Sequence, residues 1–147
     1  MSKVSRTNQV LYFTHMSLDK AEQSSDAQVK RQLEEGALFH LYSATFSFSA
    51  ELVSQYGLGA FKELEELFSR PGLPSELVEL SQLYSDSASW LGSVVLQYQR
   101  LLQGGLEAVG ANSGLIMVQS DYVDLFRNWL IELEKTIQRM REHYQEY

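Results

Sequence analysis

The sequence predicts an all-α fold: an antiparallel bundle of about four long helices, with one short helix and one long loop. Three observations carry this. Apolar residues recur every three to four positions almost throughout, the period of a helix that buries one face. Proline occurs only at 71 and 74, so few helices are broken from within. Glycines cluster at 57/59, 104/105 and 110/114, where helices are expected to end. The 147 residues suit a single domain spanning 1–147, large enough to bury a core without disulfide or metal.

Ser5 to about Glu22 reads as the first helix, on Leu11, Thr14, Leu18 and Ala21. About Ser25 to Tyr56 is a long helix with a charged outer half (Asp26, Lys30, Arg31, Glu34, Glu35). Its inner half is apolar nearly all round, from Leu38 and Phe39 to Leu52 and Val53. Ser43, Ala44, Ser47, Ser49 and Ala50 are small enough to let a neighbour approach closely, and Gly57 is a natural C-cap. A short helix from about Ala60 to Phe68 precedes the break at Arg-Pro-Gly-Leu-Pro. From about Ser75 to Gln103 the expected seam is Leu77, Leu80, Tyr84, Ala88, Leu91, Val95, Tyr98 and Leu102. Three serines and an Asp over Ser85–Ser89 favour a kink, and Gly104-Gly105 ends the helix.

The last helix is the clearest. Val123, Phe126, Leu130, Leu133, Ile137, Met140 and Tyr144 alternate spacings of three and four, the seam of a bundle helix. Ser120 is its expected N-cap, with Asp121 and Asp124 opposing the dipole. Outward pairs are expected between Glu132 and Lys135 and between Arg139 and Glu142. Residues 104–119 remain as a long loop whose Leu115-Ile116-Met117-Val118 run should pack as a lid, a pocket wall or a dimer contact.

Formal net charge is −7, which disfavours nucleic acid and anionic membrane as partners. Residues 60–86 carry six acidic groups against two basic ones, most simply a solvated helix face. Two long stretches are nearly free of charge. Glu51 alone is charged between Gly36 and Phe61, and Arg100 alone between Ser87 and Leu106. Their Ser, Gln, Tyr and Gly content argues against a membrane span. Cysteine is absent, which fits a reducing compartment. The first residues show no apolar signal segment, so a cytoplasmic location is expected.

Thr7-Asn8-Gln9-Val10-Leu11-Tyr12-Phe13, Phe39-His40-Leu41-Tyr42 and Gly114-Leu115-Ile116-Met117-Val118 leading into Asp121 recur with Trp129 and Arg141-Glu142-His143. Their order and spacing resemble a gammaproteobacterial family of small, uncharacterised helical proteins, a domain of unknown function. The resemblance covers nearly the whole chain. It implies a bacterial, cytoplasmic protein, and it implies no activity and no functional residues.

No catalytic set emerges, so an enzyme is not expected. A di-iron bundle needs Glu three residues before His; Tyr12, Ala37 and Met140 stand there before His15, His40 and His143. His15 and Asp19 share a helix face, more simply as a surface or helix-bridging pair than as metal ligands. Helical ribonucleases set four to six residues between Arg and His, whereas eight separate Arg6 from His15 and Arg31 from His40, and Arg139 and Arg141 lie too close to His143. Nucleophile elbows and phosphate-binding glycine loops are absent from the sequence. Neither metal nor cofactor is called for.

Two functions therefore stand as expectations. One is a non-enzymatic interaction module, possibly a homodimer or bound to another protein, using Trp90 and Trp129 as interface residues. The other is a small-molecule or lipid-binding bundle. In that reading His40, Tyr42 and Met117 line a pocket covered by the 104–119 loop. The expected alternative for His40 is a core histidine bonded across the bundle.

Overall fold

The computed structural model describes residues 1–106 and 122–145, with side chains through Tyr144. Among them the fold is all-α. Six helices occur in the order α1 (Lys3–Gln23), α2 (Ala27–Gln55), α3 (Leu64–Phe68), α4 (Ser75–Ser85), α5 (Trp90–Gly104) and α6 (Tyr122–Gln145). Ser2 caps α1 by accepting from the Ser5 amide, and Asp26 caps α2 by accepting from Gln28 and Val29. Each removes orphan donors from a first turn.

Contacts fix how the long helices run. Asn8 lies by Arg141 and Glu51, while Phe13 lies by His40. As numbering rises along α1 it falls along α2, so the two are antiparallel. Tyr98 stacks on Tyr42 and Leu106 meets Arg31, so α5 also runs against α2. Tyr122 touches Glu34 and Tyr144 touches Glu51, so α6 runs alongside α2. The core lies between these helices. Small, fully buried Ala37, Ala44 and Ser49 on α2 let α1 pack closely along it. The buried hydroxyls of Thr14, Thr45 and Ser49 bond the carbonyl four residues back, which satisfies them without a partner across the core.

All seven seam positions of α6, from Val123 to Tyr144, are buried. The expected helix over 75–103 is instead two. Asp86 accepts from the Ala88 amide, and Ser89 both caps α5 and donates to the Leu83 carbonyl at 2.6 Å. A Cβ on Gly92 would stand 2.0 Å from the Asp86 carbonyl oxygen, so this tight turn requires glycine there. The expected seam largely survives the break. Leu77, Leu80, Leu91 and Val95 are buried and Tyr84 and Tyr98 half-buried, while Ala88, in the turn, and Leu102 are exposed.

Glu132 meets Lys135 at 4.0 Å, but Arg139 pairs with Glu79 of α4 rather than with Glu142. Gly105, with positive φ, follows α5. Arg31 donates to the Leu106 carbonyl at 2.6 Å, and Glu34 accepts from the Tyr122 amide at 3.1 Å. One turn of α2 thus holds both residues that flank 107–121. Ser120, Asp121 and the Leu115–Val118 run lie outside the described residues.

Candidate functional site

The two charge-poor stretches of the chain come together. On α2, Phe39 is 49% exposed and Tyr42 half-buried. On α5, Tyr98 is half-buried and Leu102 is 70% exposed. Tyr42 stacks on Tyr98 at 4.1 Å with planes 11° apart, and Phe39 lies 6.4 Å from Tyr98. His40 touches Phe39 on one side and Phe13 of α1 on the other, at 5.5 and 5.6 Å. The result is a ribbon of rings crossing three helices, from Phe13 through His40, Phe39 and Tyr98 to Tyr42. Ring pairs at these separations stabilise one another beyond their burial.

Two exposed charges act on the ribbon. Partial burial first, and the Arg6 guanidinium second, hold the His40 imidazole below its usual range. Glu63 acts on Tyr42. Burial pushes the Tyr42 phenol up, and the nearby Tyr84 and Tyr98 rings and the Glu63 carboxylate push the same way. Arg6 and Glu63 are both exposed, and neither forms an ion pair among the described residues.

The expected site residues separate. His40 and Tyr42 share the ribbon, and His40, like Tyr42, is half-buried between rings rather than in the core. Four surface cavities of 510, 340, 370 and 220 Å³ are lined by other residues, and His40 and Tyr42 border none of them. Met117 lies outside the described residues. Trp90 opens α5 half-buried against the core. Trp129 is a core residue rather than an interface one. It is only 9% exposed, with its ring 5.3 Å from Phe126. The seam of α6 is wide enough to take in this flanking position, as an apolar stripe of a globular helix often is.

A second cluster, which the sequence pattern does not announce, sits where α2 ends. Glu51 is 3% exposed and accepts from Arg141 at 2.7 and 2.9 Å and from the Tyr144 hydroxyl. Burial, then the Glu51 carboxylate, pushes the Tyr144 phenol up to about 12. Glu76, 5% exposed, accepts from Tyr56, Ser75 and His143. Burial opposes its ionisation, yet the bonds from Ser75, Tyr56 and His143 bring its carboxyl down to about 2. Both carboxylates are saturated with donors, and Glu76 is held ionised well below neutral pH. The one sequence signal was Glu51 itself, a lone acid in an uncharged stretch. His15 bridges to Glu134 of α6 at 3.0 Å, and Asp19 pairs with Arg127. Among the described residues no three His, Asp or Glu side chains gather as a metal site. No described helix is long and apolar enough to cross a membrane.

Fold and surface together define an all-α helical protein with buried, fully bonded carboxylates where α2 ends and a part-exposed ribbon of rings near its middle. The chain belongs to a family of unknown function, DUF6586, whose model matches residues 1–147. Neither a curated protein nor a solved structure matches it.

Proposed function

We propose that the chain is a non-enzymatic interaction module that self-associates through the aromatic ribbon, in a bacterial cytoplasm. The observation that carries this is the ribbon itself, with Phe39 49% exposed beside the stacked Tyr42 and Tyr98 rings, and with the exposed charges Arg6 acting on His40 and Glu63 on Tyr42. A two-fold axis through the ribbon would set each Arg6 against the other copy's Glu63, the self-complementary arrangement an isologous dimer needs. Elsewhere two chains of charge −7 repel one another. The uncharged ribbon is where they can approach, and Tyr and Phe are residues that interface centres favour. The bacterial and cytoplasmic setting is supported by the family resemblance and by the lack of cysteine.

Sedimentation equilibrium tests this. The wild type is expected to be a dimer. Phe39→Lys and Leu102→Lys are expected to be monomers with unchanged thermal unfolding. Arg6→Glu should weaken the dimer and Arg6→Glu with Glu63→Arg should restore it. A wild type that stays monomeric at millimolar concentration overturns the proposal.

A further inference from the structure

Below the ribbon, α2 presents Phe46, Ala50 and Val53 to a groove of 340 Å³ closed by Leu58 and Phe61 of the α2–α3 connection. Phe46 and Phe61 form its floor, their rings 4.8 Å apart. The volume falls within the range of small-molecule sites, about 300–1,000 Å³. Among the described residues no acidic side chain lines the groove, and one cation does: Lys3, the first residue of α1.

Lys3 forms no ion pair among the described residues. Glu51 lines the adjoining cavity, which shares Lys3 and Ser54 with the groove. Its carboxylate is already taken by Arg141 and Tyr144. No acidic residue stands in the first turn of α1, so the positive end of that helix dipole is also uncompensated beside the lysine. An apolar trough thus opens at a free ammonium. We propose that the groove binds a single-chain amphiphile with an anionic head, a free alkanoate. Its tail would lie along Phe46, Ala50 and Phe61, and its carboxylate would meet Lys3. Alkyl burial supplies the binding free energy, and the exposed charge pair supplies a smaller preference for the acid.

Titration calorimetry with decanoate, and with decanol as the chain without the charge, tests the assignment while sedimentation reports the mass. Decanoate should bind about fivefold more tightly than decanol. Lys3→Gln should erase that difference and leave decanol unchanged. Ala50→Trp should fill the trough and remove both. Thermal unfolding shows whether that variant folds; if it does not, Phe61→Ala takes its place and should weaken both ligands. Equal binding of acid and alcohol overturns the proposal, as does undiminished binding to a folded Ala50→Trp. If decanoate splits a dimer, the groove is the seat of a second copy instead. Co-sedimentation with anionic phosphatidylglycerol vesicles without decanoate binding would likewise reject a free-acid site.

Discussion

The middle and the end of α2 treat side chains in opposite ways. Near residue 40, rings that are costly to hydrate remain at the surface: Phe39 is 49% exposed. Near residue 51, a charge that is costly to bury lies inside: Glu51 is 3% exposed. The buried charge is satisfied three times over, by two bonds from Arg141 and one from Tyr144. The exposed rings are satisfied only by one another. At one end of α2 ionisable groups hold helices together, while near its middle rings stand open to solvent.

The largest expected effect breaks the inner half of the contrast. Glu51→Ala leaves the Arg141 guanidinium part-buried beside the Phe48 ring without its counter-charge. Losing one partner of a buried pair costs about 3–5 kcal/mol. Urea unfolding should show this, with Glu51→Met and Arg141→Met together regaining much of it. A loss below about 1 kcal/mol would mean that the pair does not brace the fold.

Acid is expected to attack the neighbouring carboxylate. Glu76 has its carboxyl lowered from 4.5 to about 2, so its contribution is present above its unfolded value. It is lost as pH falls from about 4.5 towards 2. The shift corresponds to on the order of 3 kcal/mol. Unfolding free energy measured across that window should drop in the wild type and stay flatter in Glu76→Gln. Parallel curves would remove Glu76 as the cause.

These two acids also mark how far the sequence could be read. The α6 seam follows from spacing alone, because a helix that buries one stripe announces it every three or four residues. The helices of residues 3–23 and 27–55 follow in the same way. Spacing says nothing of contacts between distant positions, such as Arg141 with Glu51 or His143 with Glu76. The single helix over 75–103 fails because Gly92 admits the Asp86 carbonyl and the chain turns between Ser85 and Trp90 before a second helix starts. Trp129 was misplaced because a strict heptad line is narrower than the face α6 buries. The ribbon was half legible. The uncharged stretches were visible, but that α2 and α5 lay them side by side was not.

Trp129 and Phe39 sharpen the comparison on the apolar side. Trp129→Ala opens a cavity against Phe126 and should cost about 3–5 kcal/mol, with no dimer-specific defect. Phe39→Lys should leave unfolding within about 0.5 kcal/mol yet weaken self-association at least about tenfold. Dimer dissociation constants measured beside melting curves separate the two. If Phe39→Lys unfolds the chain and Trp129→Ala only dissociates it, the roles assigned to the two faces are reversed.

The smallest expected effect falls at the edge of the ribbon. Burial and Arg6 hold the His40 imidazole below 6.5, so it is neutral at and above neutral pH. A histidine whose folded value is lowered stabilises the fold above its unfolded value, and that contribution fades as pH falls through 6.5 and below. Association should follow the same direction. A dimer buries the ring further, and protonation places a second positive charge beside Arg6. Between about pH 7.5 and about pH 5 the dimer should weaken roughly three- to tenfold. His40→Gln, which keeps the polarity and cannot charge, should hold its affinity across the same range. If both proteins weaken together, acidic groups outside the ribbon govern association. If neither weakens, the ribbon lies outside the interface, and Arg6 and Glu63 do not meet.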